Sequence, residues 1–168
     1  MATIEDEDLL LAVLNSAPIT HGVRRDQLDG ESRWELAEHF GGVGTTTEQT
    51  ALRIARDALQ ALIRGDHTAT AALTELLTAV SLSPRLDTEG VDWRLEAPPE
   101  HRLAARAILA WSRVRREAPG RLRPCANAEC NLFLVDHSRP GTARWCSMAT
   151  CGNRMKARAY ATRARTTS

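Results

Sequence analysis

All four cysteines of the chain fall in its last 44 residues, as Cys125, Cys130, Cys146 and Cys151 in the spacing C-x4-C-x15-C-x4-C. Two close pairs separated by a segment long enough to fold back suit a tetrahedral zinc site, because each pair can turn its two sulfurs inward while the intervening chain forms a hairpin. Two disulfides are the competing use of four cysteines, but disulfides persist in oxidising compartments. Glu5, Asp6, Glu7 and Asp8 stand where a secretory leader needs basic residues. The expectation is therefore a reducing cytoplasm and one structural Zn2+ per chain. Four thiolates leave no open coordination position, so the ion stabilises folding, by ~10–16 kcal/mol of binding free energy in comparable small modules, instead of doing chemistry.

The residues around the cysteines predict the shape of the module. "NLFLVDHS" reads as a short strand, "RPGT" as a turn and "ARWC" as the returning strand, so a knuckle, a hairpin and a helix follow in treble-clef-like order. His137 falls at the hairpin tip and is set aside as a ligand. Cys146 and Cys151 straddle the start of the last helix, with Ser147 and Asn153 as alternative N-caps. Either start turns the positive end of the helix dipole toward the sulfurs.

The net charge of +1 conceals a division. Residues 1–120 hold thirteen Arg and nineteen Asp or Glu, a balance of −6, whereas residues 121–168 hold nine Arg or Lys against Glu129 and Asp136, a balance of +7. One half that is this basic points to a polyanionic partner. Arg outnumbers Lys 21 to 1 throughout, so only the local excess is informative. A zinc tetrathiolate carries −2, and Arg144 and Arg154, which flank the second pair, are placed to offset it. At about 100° per residue along the last helix, Arg154, Arg158 and Arg165 share a stripe and Lys156 and Arg163 lie nearly opposite. Ala157, Ala161, Ala164 and Tyr160 form a small-residue face between them that is suited to close packing. Two basic edges of this kind can touch phosphates without reading sequence.

Residues 1–120 read as a mostly helical domain. "DLLLAVLN" is favoured as a helix over a strand, "SAPITHGVRRDQLDG" is a connection, and "ESRWELAEHF" is a short helix stopped by Gly41 and Gly42, with Trp34 in the core. Thr45 and Glu48 fit a capping box opening a helix to Arg64, with Ala51, Leu52, Ala55, Ala58, Leu59, Leu62 and Ile63 on its apolar side, a solvated Arg/Asp face opposite, and Gly65 as the stop. A second helix over 68–80 presents Leu73, Leu76, Leu77 and Val80. Val91, Trp93 and Leu95 alternate with Asp92, Arg94 and Glu96 as in a half-buried strand, which predicts a hairpin near 83–97 turning at Glu89-Gly90. Pro98 and Pro99 open a helix that runs to Pro119-Gly120 with Leu103, Ala104, Ala107, Ile108, Trp111 and Val114 on one face. The fold class expected is mainly α with a small antiparallel sheet, as a helical domain over 1–120 and a zinc finger over 121–168.

Catalysis is not expected. His21, His39, His67 and His101 are scattered, the "GGVG" at 41–44 is no nucleotide-binding fingerprint, and no stretch approaches the ~18 apolar residues of a membrane span. The layers of the helical domain leave room in principle for a small-molecule effector.

"CANAEC", "LFLVDHS", "RWCSMATCGNRMKARAY" and the closing "RAR" closely resemble the CGNR zinc-finger family, named for the tetrapeptide Cys151-Gly152-Asn153-Arg154, over about residues 121–165. More loosely, "DLLLAVLNSAPI" and "ALRIARDALQALIRG" resemble the ABATE domain usually joined to that finger, which is described as a stress-induced transcription regulator. By position, the resemblance makes Cys125, Cys130, Cys146 and Cys151 the ligands and Arg144, Arg154, Lys156 and Arg158 the basic positions. It implies a bacterial regulator, nucleoid-associated if it binds DNA, with DNA favoured over RNA. Trp145 and Tyr160 are expected to be packed and not free to stack on bases. The alternatives are an RNA-binding factor and a protein-interaction module, in which the acidic half docks the basic half of another copy, as a homodimer, or of the same chain, masking the basic helix.

Overall fold

The computed structural model describes residues 4–29 and 33–166, without the side chains of residues 4, 5, 33, 34 and 164–166. The expected core role of Trp34 and phosphate contact of Arg165 thus lie outside the described residues. The architecture is mainly helical with three two-stranded antiparallel sheets.

Three helices make the core: α1 (Ile4–Leu14), α3 (Thr46–Ile63) and α5 (Arg102–Glu117). Leu9, Leu10, Val13 and Leu14 of α1 meet Leu52, Ala55 and Leu59 of α3 and Leu103, Ala104, Ala107 and Ile108 of α5, all buried in one cluster. Alanines at the crossings let the helices approach closely, and the leucines fill the space between them. The short α2 (Arg33–Phe40) ends at Gly41, whose φ of +74° suits a helix stop, and α4 (Thr70–Leu76) closes on α3 through Leu73 and Leu76.

The start of α3 departs from a capping box in one respect. The Thr45 hydroxyl accepts from the Glu48 amide at 3.2 Å as expected, but the Glu48 carboxylate reaches past the cap to accept from the amides of Gly44 at 2.7 Å and Val43 at 3.0 Å. The loop folds over it so tightly that a Cβ on Gly42 would lie 2.6 Å from Glu48 Oε1 and 2.7 Å from Leu103 Cδ1. The "GGVG" segment is therefore a folded cover for a buried carboxylate.

The solvated Arg/Asp face expected on α3 is corrected at Arg56. It is buried, donating to Asp26 at 2.7 Å, Asp57 at 2.9 Å and the Ser16 hydroxyl at 3.2 Å. Arg56 lies four residues after Leu52 and three before Leu59, inside the apolar stripe, and the 16–29 segment wraps over it. That segment, expected as a plain connection, forms a small ribbon of β1 (Ile19–Thr20) and β2 (Val23–Arg24), turning through His21 and Gly22 at positive φ.

Two further expectations change. The helix expected over 68–80 is a 3-10 turn at His67–Ala69 followed by α4, which stops at Leu77 because β3 (Ser81–Asp87) begins four residues later. β3 pairs with β4 (Gly90–Glu96), closing at Asp87 and Gly90, so the turn residues are Thr88 and Glu89. The hairpin is where the sequence placed it, but it is not half-buried: only Ser83 and Leu95 are partly covered, and it packs chiefly on itself.

β5 (Leu122–Pro124) and β6 (Phe133–Val135) form the third ribbon, and they join the module to the helices. Phe133 is buried in the helical core, with the Arg64 guanidinium 4.6 Å above its ring. The Asn15 amide copies a neighbouring strand, accepting from Phe133 N at 2.8 Å and donating to Phe133 O at 3.2 Å. Asn131 does the same toward Ile19 N at 3.0 Å and Ala17 O at 2.7 Å. Among the described residues no helix is long and apolar enough to cross a membrane.

Candidate metal centre

The first cysteine pair sits on a knuckle that continues the β5–β6 ribbon. Cys125 N donates to Leu132 O at 2.8 Å, and Cys130 N donates to Asn127 O at 2.8 Å, which curls the intervening residues into a tight loop. The second pair brackets a wide turn over Met148–Gly152, in which Gly152 N donates to Ser147 O at 3.0 Å and the Ser147 hydroxyl accepts from Thr150 N at 3.4 Å. Ser147, not Asn153, is thus the cap. A turn closed between residues five apart brings Cys146 and Cys151 to the same side, which is the physical use of the four-residue spacer. Gly152 is closely fitted there: a Cβ would lie 2.8 Å from Met148 Sδ and 3.3 Å from Trp145 Cδ1, so it would have to push the Met148 side chain aside. α6 (Asn153–Thr166) continues from this turn.

The returning strand expected at "ARWC" is not formed. β6 pairs backward with β5, and residues 143–146 are held by other means: Ala126 N donates to Arg144 O at 2.8 Å, and the buried Asp136 carboxylate accepts from Ala143 N at 2.9 Å, Ser138 N at 2.9 Å and the Ser138 hydroxyl at 2.6 Å. Asp136 also pairs with Arg123. The hydrogen bonds from Ser138, opposed by burial and helped by Ala143 and Arg123, bring its carboxyl down to about 2. Asp136 thereby organises the loop that a strand was expected to occupy.

The four ligand sulfurs lie within 4.8 Å of one another, the one such group of three or more His, Cys or acidic residues among the described residues. Cys130 and Cys146 sulfurs are 3.7 Å apart, as are those of Cys146 and Cys151. Sulfurs at the corners of a tetrahedron with ~2.3 Å zinc–sulfur bonds stand about 3.8 Å apart, whereas a disulfide needs about 2.05 Å. All four cysteines are free thiols, and Cys125 and Cys151 are buried. The donor set therefore fits a zinc ion, and these four residues would hold it.

The surroundings support the same reading. Asn127, buried beneath the knuckle, donates its side-chain amide to Cys151 Sγ at 3.4 Å, and Cys146 N donates to Cys125 Sγ at 3.5 Å. Burial pushes the Cys130 thiol up to about 11 and raises that of Cys146, while at Cys151 burial is outweighed by the Asn127 amide and the neighbouring thiols, which hold it below the ordinary thiol value. Crowded sulfurs cannot all ionise alone; a bound divalent cation supplies the charge that lets them. Asn127 and Asp136 are not singled out by the sequence, whereas Gly152 is marked there as part of the 151–154 tetrapeptide. An Asn inside a short Cys-x4-Cys loop and an acid isolated among cations are the signals that were there to be read.

The basic residues are distributed unequally around this centre. Arg154 and Arg158 line a cleft of about 630 Å³ between the finger and the β1–β2 ribbon, which Cys130, Cys146 and Cys151 also border. Arg158 donates to both Glu129 carboxylate oxygens at 2.7 Å, so its charge is partly answered within the finger. Arg144 stacks 5.4 Å from the Trp145 ring, Lys156 is exposed, and Arg163 donates to Ala159 O at 3.2 Å along its own helix. The alanine face of α6 is not packed, since Ala157 and Ala161 are exposed, and Tyr160, expected to be packed, is 74% exposed. His137 pairs with Glu7 at 2.5 Å, outside the sulfur group.

A comparison with curated proteins finds no match. Residues 121–164, the stretch that contains all four cysteines, the Asp136 loop and most of α6, match the family model described as CGNR zinc finger.

Proposed function

We propose that the chain is a transcription regulator that binds nucleic acid, DNA in preference to RNA, through a zinc-held finger, with the helical region 1–120 serving to sense a ligand or dock a partner. The observation that carries this is the position of α6. From Asn153 to Arg163 only Met155 is even partly buried, so a helix with Arg154, Lys156, Arg158 and Arg163 on its surface stands in solvent, gripped at its first turn by the cysteine cluster. A helix with no buried face of its own leaves its whole surface open to a partner, and cations on two sides suit a groove with phosphates on both walls. Exposed Tyr160 adds a ring able to stack on an unpaired base, which keeps RNA as the variant the test must separate. Arg144, beside Trp145, extends the basic surface at the other side of the turn.

A salt titration of binding to duplex DNA, structured RNA and a non-nucleic polyanion tests the proposal. Binding to duplex DNA is expected to be strongest and to fall steeply with salt. Arg154→Ala with Arg158→Ala is expected to weaken it and flatten the salt slope while the zinc content stays the same. Arg154 should account for more of the loss, because Arg158 must first leave Glu129. Equal affinity for all three polyanions, or affinity unchanged in the double variant, overturns the proposal.

A further inference from the structure

We propose that Cys146 is a modification site, the sulfur of the cluster on which small electrophiles act first, and that a hydroperoxide acting there joins Cys146 to Cys130. Position and hydrogen bonding set the four sulfurs apart. Cys125 and Cys151 are buried, whereas Cys130 and Cys146 are half-buried. Cys130, Cys146 and Cys151 border the cleft of about 630 Å³ between the finger and the β1–β2 ribbon, and Cys125 does not. Three of the sulfurs accept an N–H: Cys125 from the Cys146 amide at 3.5 Å, Cys151 from the Asn127 side chain at 3.4 Å, and Cys130 from the Leu132 amide. Among the described residues none donates an N–H to Cys146 Sγ, whose near neighbours are the sulfurs of Cys130 and Cys151, each 3.7 Å away. With a divalent cation bound all four are thiolates, so access and hydrogen bonding are what separate them. A thiolate attacks through a lone pair, and a donated hydrogen bond ties that charge down. Of the four, Cys146 alone combines a sulfur without an N–H donor with an approach from solvent.

The reaction with hydrogen peroxide balances within the cluster. The Cys146 thiolate attacks one peroxide oxygen: an S–O bond forms, the O–O bond breaks, and the departing hydroxide takes a proton from solvent. The sulfur loses two electrons, the peroxide gains them, and Cys146 becomes a sulfenic acid. The Cys130 thiolate then attacks that sulfur: the S–S bond forms, the S–O bond breaks, and the second hydroxide leaves as water. The two sulfurs close from 3.7 Å to about 2.05 Å. Cys151 lies as near to Cys146, but its burial and the Asn127 amide make it the slower partner. Arg154, which lines the same cleft, brings positive charge to the side from which hydroxide departs. Cys125 and Cys151 are then too few to keep a structural zinc ion, and the hold on the first turn of α6 is lost with it.

Chemical mapping of the full zinc-loaded chain tests this, with metal content measured first so that a chain without zinc is recognised before any reagent is added. Iodoacetamide at less than one equivalent per chain is expected to label Cys146 ahead of Cys130 and roughly tenfold faster than Cys125 or Cys151. Hydrogen peroxide is expected to release zinc to a chromogenic chelator and to leave a Cys130–Cys146 disulfide in the peptide map, in step with faster amide exchange over 153–163. Asn127→Ala strips the amide from Cys151 and leaves Cys146 untouched, so it should speed labelling of Cys151 alone. A variant in which all four cysteines speed up alike shows that access without hydrogen bonding sets the order, and counts against the proposal; if that variant binds no zinc, the wild-type map decides. First labelling at any sulfur but Cys146, equal rates at all four, peroxide that releases no zinc, or a disulfide that leaves out Cys146 overturns the proposal.

Discussion

α5 and α6 are nearly the same length, 16 and 14 residues, and each carries five basic side chains among alanines, yet they meet opposite fates. α5 buries Leu103, Ala104, Ala105, Ala107, Ile108, Ala110 and Val114, whereas none of the described residues from Asn153 to Arg163 is buried. The difference is three branched aliphatic side chains, Leu103, Ile108 and Val114, for which α6 has no counterpart. Burying a Leu, Ile or Val is worth roughly 1.5–3 kcal/mol, and a single alanine methyl offers far less. An isolated helix of this length is marginal in water. α5 is therefore a helix because of what it packs on, and α6 because of what holds its first turn.

Removing the metal should separate the two most sharply. With zinc chelated, or in Cys151→Ser, the stabilisation lost is of order 10 kcal/mol; amide exchange over 148–163 should become fast while α5 stays protected. Equal loss in both helices would mean that the finger and the core fold as one unit. Next in size, Leu103→Ala should lower stability by about 3 kcal/mol in urea unfolding, while Ala161→Gly in α6 should cost no more than about 1 kcal/mol locally and leave the global midpoint unmoved.

Arginines extend the comparison. Asp26→Asn leaves an oxygen for the buried Arg56 to donate to but removes the negative charge 2.7 Å from it, so that only Asp57 answers the guanidinium, at an expected cost of about 2–3 kcal/mol in the same urea experiment. Asp136 should show itself through acid. Its pKa is lowered from an ordinary 3.8 to about 2, so the stability it adds is complete above about pH 5 and is lost as pH falls through about 2. The gap in stability between the wild-type chain and Asp136→Asn should be constant above that window and shrink within it. The smallest effect belongs to Arg158→Ala: its pair with Glu129 is exposed on both sides, and thermal unfolding should register less than about 1 kcal/mol.

How far the sequence could be read followed the same physics. Elements built on apolar periodicity, such as α3 with its Thr45 cap and Gly65 stop, lie where 3.6-residue spacing put them, and cysteine spacing located the sulfur cluster before any geometry was known. What spacing could not convey was partnership. The alternation at Val91, Trp93 and Leu95 indicates one apolar face but not whether anything covers it, and here the chain itself does not. Arg56 looked solvated because its partners, Ser16 and Asp26, are thirty or more residues away. The strand expected at "ARWC" was displaced by a single buried carboxylate, Asp136, whose hydrogen bonds no periodicity encodes. The signature at 151–154 is legible as a whole, but the wide turn that sets Gly152 against Met148 and Trp145 is not.

X-ray absorption at the zinc edge, together with metal analysis of the purified chain, tests the central claim most directly. One zinc per chain with four sulfur neighbours at about 2.3 Å is the predicted result. A chain without zinc, or zinc bound by nitrogen or oxygen with fewer than four sulfurs, contradicts the account of how α6 is held.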